Sequence, residues 1–254
     1  MMSEILYQHS GLWIVLALFS FLAIRAMVVA GGAFAWSSVS QWARAHAIVQ
    51  SEIPRPTLIR EILTGFKILL VDALTFTTLF KLGLFKFAPL HGWIDFSITF
   101  SAMFIWTEIY FYYSHRLLHA PKFFWIHRHH HQATRINAWT SLSFSVTERL
   151  ILLVGLALGP ALFSSLLPFP VEGYGLYFTA NYLLNVYGHL NVEITPKKFL
   201  TSAVGQVLNT TTYHSLHHLR YRGHFGLFTS TLDKVHGSYF HDYQDMHARH
   251  LELT

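Results

Sequence analysis

Apolar residues in this chain come in blocks of about twenty, and nothing else in it restricts the fold as tightly. At ~1.5 Å per residue, a helical block of that length crosses the ~30 Å hydrocarbon core of a bilayer. Lipid offers the backbone no hydrogen bonds, so a spanning segment outside a closed barrel must be helical. The blocks fall at about 12–34, 62–82, 93–114, 146–167 and 171–190, in 254 residues that are 52% hydrophobic and 12% charged. They predict an all-α integral membrane protein with four or five membrane-embedded helices. No Pro/Gly/Ser-rich linker interrupts the sequence, so residues 1–254 read as a single membrane domain.

The first block contains Arg25 and follows no basic leader, so it reads as a retained span although Ala33-Phe34-Ala35 resembles a cleavage site. Asp72 lies inside the second block, where an ionisable group is costly; it reads either as a polar contact between helices or as a group on the substrate side. Pro168 and Pro170 make the last two blocks a helical hairpin. Gly155 and Gly159 form a small-xxx-small pair suited to helix packing. If all five blocks cross, 36–60, 115–145 and 190–254 share one side and hold nearly all the Lys and Arg outside the spans, leaving Lys81 and Lys86 opposite. The positive-inside rule then places a histidine-rich cap, 115–145 with 190–254, in the cytosol. The membrane would be the endoplasmic reticulum in a eukaryote and the inner membrane in a bacterium. The net charge of +5 is scattered over membrane flanks, a pattern that argues against nucleic acid as a partner. With no cysteine, thiolate metal sites, iron–sulfur clusters and disulfides are excluded.

Histidine is the unusual residue. On a helix, His115 and His119 (i, i+4) share a face, as do His127, His130 and His131 (i, i+3, i+4), and the second spacing returns in His214, His217 and His218. Two copies of one triad read as two halves of one site. Adjacent imidazoles such as His130 and His131 point ~100° apart on a helix, so they reach two neighbouring ions more readily than one. His189 stands four residues after Asn185 at the end of the last block, returning beside the other clusters. Neutral imidazole is a ligand for Fe, Zn and Cu, so the spacings predict a metal centre. Glu108, seven residues before His115, is placed to orient a ligand imidazole or to bond a neighbouring helix. His9, His46, His241, His247 and His250 stand alone and read as solvated.

The boxes HRLLH at 115–119, HRHHH at 127–131, His189 and HSLHH at 214–218 together resemble the sterol desaturase and fatty acid hydroxylase superfamily. These are membrane enzymes with a histidine-bound dinuclear iron centre. The tail HFGLFTSTLDKVHGS, 224–238, is similar to that family's segment after the last box: Gly226, Asp233 and Gly237 match, while His224 stands where Asn is usual and Leu232 where Trp is usual. The resemblance covers about 90–240. It implies His115, His119, His127, His130, His131, His189, His214, His217 and His218 as ligands of two Fe ions, with O2 as co-substrate and Zn able to substitute in a purified sample. Asn185 would contribute through a water, and His129 and Asp233 would stand behind the ligands.

The resemblance therefore implies hydroxylation of a lipid C–H bond (fatty acyl, sterol or related) delivered from the bilayer. Desaturation at the same centre is the near alternative. Electrons would come from an external donor of cytochrome b5 or ferredoxin type, since no flavin or haem motif is present and the cap is basic. A histidine-rich divalent-metal transporter is the remote alternative, and it would need ligands strung along a pore inside the spans.

Overall fold

The structure, a computed structural model, describes residues 9–249. These form helices and turns, with isolated bridges and no extended strand among the described residues. Helix α1, Gly11–Ala26, starts at Ser10, whose hydroxyl accepts the Trp13 N–H at 3.2 Å, and runs through a π turn at Met27–Gly31 into α2, Gly32–Val39. After the short α3, Gln41–Ala45, comes α4, Arg55–Lys81, with Pro56 in the first turn, where a missing N–H is no loss. Then follow α5, Trp93–Leu118, α6, Phe124–His127, α7, Val146–Phe163, and α8, Val171–Gly188. The chain ends in α9, Thr211–Arg220, α10, Thr231–Val235, and α11, Tyr243–Arg249.

Among the described residues, three stretches are long and apolar enough to cross a membrane by length and composition: Gly11–Val39, Arg55–Lys81 and Val146–Phe163. The blocks expected at 93–114 and 171–190 do form long helices, α5 and α8, but fall outside that group. The reason lies in their polar content: α5 carries Asp95, Glu108 and His115, and α8 carries Asn181, Asn185 and several tyrosines. The block 146–167 stops being helix at Phe163.

In lipid, apolar contact alone does not drive helices together, so close packing and interhelical hydrogen bonds must. α5 supplies both. It is the common partner of α7 and α8, and the two legs of the expected hairpin pack more closely on α5 than on each other. A Cβ at Gly155 would overlap the Tyr110 ring, and one at Gly159 would meet Trp106 and Met103, which is why glycine stands at both places on α7. Trp106 Nε1–H donates to the Gly155 carbonyl (2.8 Å) and the Tyr110 hydroxyl to that of Ile151 (2.7 Å). Pro160 has no N–H to give the Leu156 carbonyl one turn back, and the Tyr174 hydroxyl donates there instead (3.2 Å).

Asp72 proves to be a helix-packing residue. Its carboxylate accepts from both Nε and Nη2 of Arg149 at 2.7 Å, tying α4 to the start of α7. Glu61, also on α4, accepts from Asn137 Nδ2 at 2.7 Å and so holds the segment 133–145 that follows the second histidine box. Beyond the helix ends, α9 and α11 pack Tyr213, Leu216 and Tyr243 into a small core of their own.

Candidate metal centre

His115 sits in the last turn of α5, and His119 caps that helix. His127 ends α6, and the next turn is 3-10 over His130–Gln132. His189 caps α8, and His214, His217 and His218 lie on α9. All nine histidines put forward from the sequence meet here. Ring nitrogens of His115, His119, His127, His131 and His217 lie within 4.8 Å of one another, and those of His130, His189, His214 and His218 do the same. His130 and His131, adjacent in sequence, enter different groups with ring planes 84° apart.

The triads are not two halves. In each, the i, i+4 pair stays together, His127 with His131 and His214 with His218, while the i+3 member, His130 or His217, crosses to the other group. The two groups are thus interlocked: neither box could be removed without damaging both.

Second-layer contacts fix which nitrogen faces inward. The Nδ1–H of His115 donates to the Phe225 carbonyl (2.9 Å), His217 to Gly223 (2.8 Å), His189 to Asn185 (2.8 Å), His218 to Ala133 (3.2 Å) and His130 to Ser143 (3.3 Å). A carbonyl only accepts, so each neutral ring carries its proton on Nδ1 and leaves Nε2 bare. Yet these bare atoms face each other: Nε2 of His130 is 3.1 Å from that of His218 and 3.3 Å from that of His189. His127 Nε2 stands 3.1 Å from His115 Nε2, with its own Nδ1 against Glu148 Oε1 at 2.5 Å. Opposed lone pairs at such distances repel unless a cation lies between them.

Protons are poor candidates for that cation. Burial first, and then the neighbouring imidazoles, hold His127, His130, His214, His217 and His218 well below the usual histidine range. His119 is pushed down to about 2. In addition, His119 Nε2 and His131 Nδ1 are buried with no partner. Nine neutral nitrogen donors, with no thiolate among them, fit first-row transition ions such as Fe, Zn or Cu.

The supporting residues differ from expectation. Glu108 touches no histidine ring; its carboxylate accepts from the Phe228 and Thr229 N–H groups (2.9 Å each) and the Thr229 hydroxyl (2.7 Å). Seven residues along α5 separate it from His115 by about two turns, too far for a carboxylate to reach the ring. The carboxylate that meets a histidine of the two groups is Glu148. Its signal in the sequence was Ser145-x-x-Glu148, a capping-box spacing at the start of α7, and the Ser145 hydroxyl does accept the Glu148 N–H (3.1 Å). Asp233 accepts from the Phe225 and Gly226 N–H groups (2.9 and 2.7 Å), from the Ser238 hydroxyl (2.7 Å) and from the Tyr213 hydroxyl. It shapes the loop whose carbonyls hold His115 and His217, without touching either ring. His129 lies outside both groups, half-buried, with Nε2 3.4 Å from Ser143 Oγ.

His224 has a left-handed backbone (φ 58°), a region that Asn, Asp and His enter more readily than other side chains. That accounts for a histidine at a position where the resemblance expects Asn. Its ring stacks on Tyr213 at 3.8 Å, its Nδ1–H donates to the Tyr213 carbonyl (3.0 Å), and Nε2 accepts the Phe240 N–H (3.0 Å). Two of the histidines read as solvated are buried: His46 stacks on Trp42 at 3.9 Å, and His247 has Nε2 2.8 Å from the Thr195 hydroxyl. His250 lies outside the described residues.

A cavity beside the two groups is walled by Phe111, Phe144, Leu152, Leu184 and Leu227, with Asn185 alongside. A second cavity between α5, α7 and α8 shares the walls Phe111, Phe144, Leu152 and Leu227 and reaches Thr107, Gly155 and Asn181. The Asn185 Oδ1 atom is buried without a partner. On the other side, a basin over His119 and His131 is rimmed by the exposed Arg128 and by Arg222.

Residues 100–238 match the family described as fatty acid hydroxylase. Among curated proteins, very-long-chain aldehyde decarbonylase GL1-6 of Oryza sativa subsp. indica is 27% identical over 154 residues, 57% of this chain and 23% of that protein. Protein CER1-like 2 of Arabidopsis thaliana is 31% identical over 137 residues, covering 52% of this chain and 22% of its own length. Very-long-chain aldehyde decarbonylase CER1 of Arabidopsis thaliana is 27% identical over 153 residues, with shares of 57% and 24%. The alignments thus span about a quarter of the length of these relatives. No solved structure matches the chain significantly.

Proposed function

The chain belongs to the fatty acid hydroxylase family, and from that premise we propose a membrane-embedded oxidoreductase that hydroxylates a lipid C–H bond with O2 and external electrons. The observation that carries this is the set of inward Nε2 atoms at 3.1–3.3 Å, left bare by Nδ1–H groups committed to backbone carbonyls or, for His127, to the Glu148 carboxylate. His115, His119, His127, His131 and His217 would hold one Fe ion, and His130, His189, His214 and His218 the other, with Asn185 contributing through a water. When bound, such a pair supplies reductive activation of O2, chemistry no side chain performs alone.

The chain's own part is geometric. Glu148 fixes the tautomer and direction of His127, and the loop shaped by Asp233 does so for His115 and His217 through its carbonyls. Phe111, Phe144, Leu152 and Leu227 give an alkyl chain a dry approach to the histidines. Four or five membrane-embedded helices in a single domain, with the histidine cap in the cytosol, would let substrate arrive from the bilayer. The basin rimmed by Arg128 and Arg222 suits an acidic electron donor of cytochrome b5 or ferredoxin type. Convergence of the histidines into one cluster, instead of a file along a pore, speaks against the transporter.

A second reading is that the substrate is a long-chain aldehyde; identity to relatives named for aldehyde decarbonylation across this same region favours it. Lipid mass spectrometry of membranes with and without the protein tests both. A lipid that gains one oxygen atom supports hydroxylation, and one that loses two hydrogen atoms would mean desaturation. Loss of a long-chain aldehyde to a shorter hydrocarbon supports the second reading, and no change in any lipid contradicts them all.

A further inference from the structure

Away from the histidines, the first span carries a cation with unsatisfied donors. The Arg25 guanidinium lies over the rings of Tyr182 (4.3 Å), Phe178 (4.9 Å) and Phe21 (5.9 Å). Stacking satisfies the face of a guanidinium, whereas its N–H donors lie in the plane. Here Nε and Nη1 are buried without an acceptor. The Asp72 carboxylate on the adjoining α4 is already taken by two donors of Arg149, and Glu61, also on α4, is held by Asn137. Ionisable groups at membrane depth are costly and usually meet a partner.

Two of the three rings over the guanidinium also wall a groove that stops short of Tyr182. Phe21 and Phe178 line an apolar cavity of about 270 Å³ between α1, α4 and the start of α8, together with Ile14, Leu18, Phe80 and Tyr174. Ile14, Leu18 and Phe21 follow one stripe of α1 and Arg25 is its next member, at the end nearer the histidine cap. From Ile14 to Arg25 the helix rises about 16 Å, close to half the ~30 Å hydrocarbon core. That is the tail length of a single leaflet.

We propose that this groove binds one long-chain fatty acid, its alkyl chain along α1 and α8 and its carboxylate on Arg25, at a site separate from the metal centre. A carboxylate offers the planar pair of acceptors that a guanidinium takes best. A single aromatic-lined cleft between helices suits one tail better than the two of a phospholipid.

The test uses full-length, metal-loaded, delipidated protein in detergent, titrated with oleic acid, oleyl alcohol or dioleoyl phosphatidylglycerol and read by native mass spectrometry. One bound oleate is expected, with the alcohol and the phospholipid at least about tenfold weaker, as for loss of one charge-assisted contact. Arg25→Gln should weaken oleate by a similar factor. So should Gly175→Leu, because Gly175 lines the groove where an added Cβ meets open space, and this variant leaves Arg25 in place. Metal content should be unchanged in both. Oleate binding undiminished in the two variants overturns the proposal, as does equal binding of the alcohol or tighter binding of the phospholipid.

Discussion

Glu148 Oε1 stands 2.5 Å from His127 Nδ1 with both side chains buried, joining the first turn of α7 to the second histidine box. The contact sets His127 Nε2 towards the cluster and raises its basicity as a donor. Glu148→Ala should therefore weaken metal affinity by about 10–100-fold, the usual cost of losing a partner behind a ligand. Glu148→Gln, which keeps a hydrogen bond but not the charge, should fall between the two. Chelator competition on purified protein reads this directly, and equal affinity in all three would remove Glu148 from the account.

Asp72 and Arg149 form a bidentate pair across α4 and α7, with Asp72 fully buried. Asp72→Ala leaves a mostly buried guanidinium, 14% exposed, without its partner and should cost about 3 kcal/mol of stability. Replacing both residues by apolar ones of similar volume should restore most of it. Thermal unfolding in detergent measures both, and a double variant no better than the single would show that the pair does more than hold the helices.

The basin above His119 and His131 is bordered by Arg128 and Arg222. Reversing both charges, Arg128→Glu with Arg222→Glu, should raise the donor concentration needed for half-maximal turnover by about tenfold or more and weaken its salt dependence. Metal content should stay the same. An unchanged donor dependence would move the docking surface elsewhere.

The buried imidazoles also set a pH dependence. Burial holds the cluster histidines below their unfolded value of ~6.5. Below that pH the unfolded chain binds more protons than the folded one, so stability rises with pH across the interval and is lost as pH falls. Metal-free protein should accordingly show a lower melting temperature at pH 5.5 than at pH 7.5. A rise on acidification would mean the rings are protonated when folded.

Much of the centre could be read from the histidine spacing, because a ligand pair at i, i+4 is a local property of a helix. His115 with His119, His127 with His131 and His214 with His218 each stay in one group, although between His127 and His131 the α-helix gives way to a 3-10 turn. The crossing of His130 and His217 between groups depends on how α9 lies against the 3-10 turn at His130–Gln132, a tertiary relation with no sequence period. Glu148 was hidden for a related reason: in sequence it opens an apolar run and resembles a helix cap. Carbonyls of Ala133, Ser143, Asn185, Gly223 and Phe225 orient the rings, and a backbone acceptor leaves no mark on residue type. The long helices followed from hydropathy. That α5 is shared by α7 and α8 rests on Gly155 and Gly159 meeting Tyr110, Trp106 and Met103, of which only the glycine pair was visible beforehand.

Metal content of purified protein, compared with that of the double variant His130→Ala/His217→Ala, tests the central claim most directly, since these two histidines lie in different groups. One ion for each of the two groups in the wild type, falling towards none in the variant while the helical circular dichroism is retained, is the predicted result. A wild type that binds no transition metal at all, or a variant that keeps its full complement, would contradict it.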